Sequence, residues 1–190
     1  MPSLIRPALV LLLILTVITG VVYPLAVTGI AAVVFPHQAG GSLVYGKNGK
    51  AVGSALIGQS FTDPGHFWSR PSATSLKPYN GTASGGSNQG PLNPALMEAI
   101  RMRIRALQAA DPDNHAPVPV DLVTASGSGL DPEISLAAAN YQAGRVARAR
   151  QRDPKAIRAL IQAHARGRVF GWLGEPRVNV LELNLALEAP

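Results

Sequence analysis

The chain has 190 residues, a formal net charge of +6 and no cysteine, so disulfides, thiolate metal sites and cysteine nucleophiles are excluded together. Its length suits one folded domain with a core of its own beside a smaller element. All 11 acids and all but one of the 17 bases lie beyond residue 36, and the bases are scattered from Lys47 to Arg177 with no interleaved ladder of aromatics, which argues against nucleic-acid binding.

From Pro7 to Phe35 no residue is charged. Roughly 20 helical residues cross a hydrocarbon core, so the pattern predicts a single transmembrane helix over about 7–35. That gives an anchor of residues 1–36 and a soluble domain of residues 37–190. A cleaved signal peptide is the rival reading, with Arg6 as its basic start and Gly29-Ile30-Ala31 as a small-x-small cleavage site. The apolar core is about twice as long as such a segment usually has. Thr16, Thr19, Gly20 and Thr28 also suit helix–helix contact in a bilayer, so a retained helix is the preferred reading. Tyr23-Pro24 predicts a bend, which membranes tolerate when neighbouring helices re-satisfy the freed backbone group. Together with Gly20, Thr28 and Gly29 it marks a packing surface for other membrane helices; a plain bend is the alternative. Arg6 is the base closest to the membrane, which tilts the expectation towards an inside N-terminus and an outside domain.

The domain opens with Ser42–Tyr45 and Ala51–Ile57, joined by Gly46-Lys47-Asn48-Gly49, a hairpin signal. Thr62 to Pro94 is rich in Pro, Gly, Ser and Asn and predicts a long irregular segment. Phe67, Trp68 and Tyr79 within it argue for packed order, because disordered linkers are poor in aromatics. Three helices follow. Asn93-Pro94 opens the first, with Leu96, Met97, Ile100, Ile104 and Leu107 on one stripe. Asp131-Pro132-Glu133 opens the second, expected to run to about Gln151, and Asp153-Pro154 opens the third, expected to end at Gly167. Leu181, Leu183, Leu185 and Leu187 alternate with Glu182, Asn184 and Ala186, which predicts a half-buried strand, an amphipathic helix being the alternative. The fold class is α+β: one N-terminal transmembrane helix, then a single mixed α+β soluble domain.

Gly41-Ser42-Leu43-Val44-Tyr45-Gly46-Lys47 imitates a phosphate-binding loop, but Asn48 replaces the required Ser or Thr and a hairpin replaces the helix. Ser84-Gly85-Gly86-Ser87-Asn88-Gln89 offers amides and hydroxyls to an anion or a partner, or closes on itself as a turn. Ser126-Gly127-Ser128-Gly129 is similar, and its flanks and spacing fail the nucleophile-elbow pattern. His37, His66, His115 and His164 form no ligand pair, and the aspartates mostly adjoin prolines, as turn and cap residues do. No metal cluster and no triad is visible, so catalysis by this chain alone is not expected. The alternative is an independent membrane-anchored envelope hydrolase whose Ser126 or Ser128 meets Asp and His only in three dimensions. Gln142 stands out because it borders the apolar stripe of the second helix, one turn from Ala138 and from Val146, where a carboxamide needs a partner. A backbone or side-chain neighbour is one option, a ligand or subunit the other. Arg145, Arg148, Arg150 and Arg152 crowd the end of the same helix, complementing its dipole or facing an acidic partner.

Several blocks then carry a resemblance. Tyr23-Pro24-Leu25, Thr28-Gly29, Phe35-Pro36, Gly53-Ser54-Ala55-Leu56-Ile57-Gly58-Gln59, Arg70-Pro71-Ser72-Ala73-Thr74 and Ser84-Gly85-Gly86-Ser87-Asn88 occur in order. Val120-Asp121-Leu122-Val123-Thr124-Ala125-Ser126 and Val178-Asn179-Val180-Leu181-Glu182-Leu183-Asn184-Leu185-Ala186-Leu187 continue them. Over nearly its whole length the chain resembles the C subunit of the Kdp-type potassium-transporting P-type ATPase. Gln89-Gly90 and His66 depart from the usual pattern. The resemblance implies a non-catalytic accessory subunit of a high-affinity, ATP-driven potassium import complex in a bacterial inner membrane. Its partners would be a potassium-binding channel-like subunit, an ATP-hydrolysing P-type subunit and a small membrane subunit. The same resemblance implies a catalytic chaperone that raises ATP affinity through a ternary complex, with Gln142 as a nucleotide contact. An outward-facing domain, on the periplasmic side, would separate Gln142 from cytoplasmic ATP and leave only an indirect route.

Overall fold

The computed structural model describes residues 2–188 and resolves into two compact units, one up to Leu43 and one from Val44 onward. In the first, helix α1 (Pro2–Val17), a π-helical turn (Ile18–Val22) and helix α2 (Tyr23–Val34) follow without a break. The π turn comes immediately before Pro24. Proline brings no N–H to the ladder, and the wider turn carries the Tyr23 N–H back to the Ile18 carbonyl. Thr19 also donates its hydroxyl to the Leu15 carbonyl at 2.7 Å. The stretch Leu4–Val34 is long and apolar enough to span a membrane, and none of it is buried within the chain. A short helix, α3 (Pro36–Ala39), follows it.

The second unit starts with the expected hairpin of β1 (Leu43–Tyr45) and β2 (Ala51–Ser54). Its turn is closed by the Gly46 N–H to Lys50 carbonyl bond at 2.9 Å, and the Asn48 side chain accepts the Lys50 N–H at 3.0 Å. Residues 55 to 93 then contain no long helix or strand, as the composition predicts. They are nevertheless tightly bonded. The Ser72 hydroxyl donates to the Gly129 carbonyl (2.7 Å) and accepts the Tyr79 N–H (2.9 Å), while the buried Asn80 amide donates to the Ser75 carbonyl (3.1 Å).

Helix α4 (Pro94–Ala110) begins where Asn93 caps the Ala95 N–H at 2.9 Å. Of its apolar stripe, Leu107 is buried, Ile100 and Ile104 pack partly against the core, and Met97 stays exposed. A 3-10 turn (Val120–Leu122) leads on to β3 (Glu133–Ser135), helix α5 (Leu136–Ala149), helix α6 (Pro154–Ala163), β4 (Arg177–Asn179) and helix α7 (Val180–Leu187). β3 and β4 pair antiparallel with Ile134 opposite Val178. The core gathers Phe67, Ile134, Val146, Ile157, Ile161, Val178, Val180, Leu183 and Leu187.

Three expectations need correction. Asp131-Pro132 does not open a helix: the Asp131 carboxylate accepts the Glu133 N–H at 3.0 Å, and the chain leaves that turn as a strand. The helix starts later, where the Ser135 hydroxyl caps the Ala138 N–H at 3.0 Å. The third helix ends at Ala163, short of Gly167, because Arg166 turns away to bridge Arg177 in both directions, at 2.8 and 3.0 Å. Finally, the leucines at 181–187 lie on a helix and not a strand. Asn179 caps the Glu182 N–H at 3.1 Å, and the buried positions Val180, Leu181, Leu183, Asn184 and Leu187 follow helical spacing.

Candidate functional site

Helix α5 positions the residue that the sequence singles out. Its start is locked twice, since the Asp121 carboxylate that accepts the Ser135 N–H at 2.7 Å also accepts the Ser135 hydroxyl at 3.2 Å. Ala138, Ala139, Ala143 and Ala147 are all buried, and these small side chains let other elements approach the helix closely. Gln142 therefore lands on the inward face, 1% exposed, a turn beyond Ala138 and a turn before Val146.

The carboxamide of Gln142 pairs with the backbone of Trp68. Its Oε1 accepts the Trp68 N–H at 2.7 Å and its Nε2 donates to the Trp68 carbonyl at 3.1 Å. From helix α7, the buried Asn184 does the same to the preceding residue: Oδ1 accepts the Phe67 N–H at 2.8 Å and Nδ2 donates to the Phe67 carbonyl at 3.0 Å. Two side-chain amides on two helices thus take the place of a neighbouring strand for two successive residues. Buried backbone groups must be paired somewhere, and here the irregular segment finds no sheet to join.

Charge completes the grip. Arg145 donates to the Pro64 carbonyl at 2.5 Å, to the His66 carbonyl at 3.0 Å and to Gln142 Oε1 at 2.7 Å. Its guanidinium carbon lies 4.4 Å from the centroid of the Trp68 ring. Burial pulls the Arg145 guanidinium down to about 10, against the opposing pull of Asp111 and Asp63. Arg150 donates to the Gly65 carbonyl at 2.7 Å and stands 2.9 Å from His66 Nε2. Arg148 pairs with the buried carboxylate of Asp111. Arg145, Arg148 and Arg150 are therefore engaged on the segment 63–68 or on Asp111. Both polar atoms of the Gln142 side chain are held by Trp68 and Arg145.

The two Gly-Ser loops come together, which sequence spacing alone does not reveal. The Gly85 N–H donates to the Ser128 carbonyl at 2.9 Å, and the Ser84 hydroxyl to the same oxygen at 3.1 Å. Gly129 has φ +66°, and a Cβ there would lie 2.7 Å from the Gly85 carbonyl oxygen, so only glycine fits the contact. The Ser126 hydroxyl accepts the Gly129 N–H at 2.9 Å and the Ser128 hydroxyl accepts the Leu130 N–H at 3.1 Å. Both serines thus act as turn residues, and His66 is engaged elsewhere, beside Arg150. Asn184 is the residue that sequence reading missed. Its signal is visible in retrospect as a lone carboxamide inside Leu-Glu-Leu-Asn-Leu. The arrangement holds backbone in place; nothing in it presents an activated nucleophile.

Comparison with known proteins adds a family. The model described as KdpC: K+-transporting ATPase, c chain, matches residues 5–189. The chain is similar to the potassium-transporting ATPase KdpC subunit of Variovorax paradoxus (strain S110), 64% identical over 189 residues, covering 100% of this chain and 97% of that protein. It is also similar to the subunits of the same name from Dechloromonas aromatica (strain RCB), 61% identical with 100% and 98% covered, and from Sorangium cellulosum (strain So ce56), 63% identical with 96% of each covered.

Proposed function

The chain belongs to the KdpC family of K+-transporting ATPase c chains, and from that premise we propose that it is the accessory, non-catalytic subunit of an ATP-driven potassium importer in a bacterial inner membrane. It supports assembly of a potassium-binding channel-like subunit, an ATP-hydrolysing P-type subunit and a small membrane subunit. It also raises the ATP affinity of the hydrolysing subunit, acting as a catalytic chaperone.

The observation that carries this reading is the uncovered membrane-length helix Leu4–Val34. A Cβ built at Gly20 or at Gly29 would meet nothing within 4 Å, which leaves room for another helix to approach the backbone there. Replacing both glycines by leucine should loosen co-purification with the other membrane subunits in mild detergent. Unchanged recovery would remove the helix from the assembly role.

The domain lies on the periplasmic side in this reading, with Arg6 inside. Its influence on ATP affinity then runs through the partner subunits. Gln142 contributes by holding Trp68; direct nucleotide contact, the other role assigned to it, requires both of its bonds to Trp68 to open. Two further experiments test the proposal. A Ser84→Cys variant creates a unique thiol on an exposed loop, and a membrane-impermeant maleimide should label it in intact cells with a permeabilised outer membrane. Labelling only after the inner membrane is broken would refute the periplasmic placement. Complexes purified with and without this chain should differ in KM for ATP in potassium-stimulated hydrolysis, several-fold higher without it. An equal KM would refute the chaperone role.

A further inference from the structure

Between α6 and β4 the chain makes a hairpin whose tip is apolar and exposed. Its base is the Arg166–Arg177 bridge, and near the tip Val169 and Leu173 exchange backbone bonds at 2.9 and 3.0 Å. The Gly171 N–H donates to the Arg168 carbonyl and the Trp172 N–H to the Val169 carbonyl, so four amides of the tip are satisfied within it. Phe170 is 85% exposed and Trp172 71% exposed, with Val169 and Leu173 about half exposed beside them. Phe170 also has φ +54°, a region that bulky side chains rarely adopt. A strained backbone that turns two aromatic rings into solvent costs stability and calls for a compensating contact.

The charges around the hairpin balance. Arg168 reaches both oxygens of Glu175 at 3.0 and 3.2 Å, Arg166 reaches Glu182 at 2.8 Å, and Arg177 reaches Glu133 at 2.6 Å. The tip therefore combines tryptophan, phenylalanine and aliphatic side chains with a backbone in which the N–H groups of Val169, Gly171, Trp172 and Leu173 already have partners. That is the chemistry of the bilayer interface, where aromatic rings settle and unpaired backbone is costly. The chain supplies the bilayer itself. Residues 35–43 join the domain covalently to the membrane-length helix, so lipid is present at a high effective concentration. Tethering turns even a weak contact into an effective one.

We propose that the Val169–Leu173 tip inserts into the interfacial layer of the membrane that the chain's own helix spans, as a second, reversible attachment point. It is a lipid contact independent of the assembly role above. The chain's composition allows a direct test, because its two tryptophans are Trp68 and Trp172 and the membrane helix contains neither. The full chain is reconstituted in phosphatidylcholine bilayers with and without bromine on the acyl chains, and tryptophan emission is read. Brominated lipid should quench wild type and leave Trp172→Ser unquenched, while Leu56→Ser, at another exposed apolar site, should quench like wild type. Because the hairpin's charges balance, 20% phosphatidylglycerol or high salt should leave the quenching unchanged. Absent quenching in wild type, or equal quenching in Trp172→Ser, would overturn the proposal. So would quenching that appears only with anionic lipid. If wild type is not quenched but Trp172→Ser releases the chain from the other subunits, the tip is a protein-docking element and the lipid assignment is wrong.

Discussion

Two aromatic pairs in this domain have opposite fates. Phe67-Trp68 lies in a segment with no helix or strand, yet Phe67 is fully buried and both residues are bonded by carboxamides from two helices. Phe170 and Trp172 lie at the tip of a hairpin closed by two isolated bridges, with four N–H groups of the tip bonded within it, yet their rings face solvent. Local backbone pairing and side-chain burial are therefore separate properties here. What fixes a segment in the domain is whether its backbone polar groups find partners in the core, and side-chain amides serve that purpose as well as a sheet would. The hairpin tip, by contrast, bonds four of its N–H groups within itself and none of them to the core.

Phe67→Ala should destabilise the domain by about 3–5 kcal/mol, the cost of removing a fully buried aromatic ring and leaving its cavity. Thermal unfolding of the full chain in mild detergent, followed by near-ultraviolet circular dichroism, measures it; a loss below about 1 kcal/mol would mean that the ring is not a core residue. Next come the clamps. Gln142→Leu and Asn184→Leu keep the side-chain volume roughly constant but strand an N–H and a carbonyl each, part-buried at Trp68 and buried at Phe67. The expected cost is about 2–3 kcal/mol per variant. Amide hydrogen exchange should speed up first at Phe67 and Trp68. If Gln142→Leu changes the KM for ATP of the complex without changing exchange at Trp68, its effect does not run through this segment.

Legibility followed the range of the interactions. The membrane helix was readable from composition alone, since a bilayer selects on uncharged length. Helices α4 and α6 were readable because Asn93-Pro94 and Asp153-Pro154 act within one turn; Asp153 accepts the Lys155 N–H at 2.8 Å. Asp131-Pro132 carries the same grammar and misled, because the Asp131 carboxylate closes a turn that the pairing of Glu133–Ser135 with Arg177–Asn179 then extends as strand. That partner is more than 40 residues away, so nothing local announces it. The leucine alternation at 181–187 misled for a different reason. A short helix buried on most sides shows little amphipathic signal, and its start is marked only by Asn179 three residues before Glu182. Gln142 was conspicuous from its place beside an apolar stripe, but its partner Trp68 lies 74 residues away, and the matching Asn184 was hidden in the segment read as a strand.

The outward end of the comparison should respond least, and its sign is informative. Phe170→Gly removes an exposed ring and relieves a positive φ that glycine adopts freely, against the greater chain entropy that glycine brings to the unfolded state. The two terms nearly offset, so the melting transition in detergent should move by less than about 1 kcal/mol in equivalent stability, and upward if the strain dominates. Trp172→Ser should change stability by no more than about 0.5 kcal/mol, as substitutions at exposed positions do. A loss of 2 kcal/mol or more in either variant would mean that the tip packs on the domain, and the contrast with Phe67-Trp68 would collapse. Near-neutral stability combined with weaker attachment to lipid is the opposite result. It would show that both rings are kept exposed, Phe170 on a strained backbone, for a contact outside the folded chain, which core packing cannot account for.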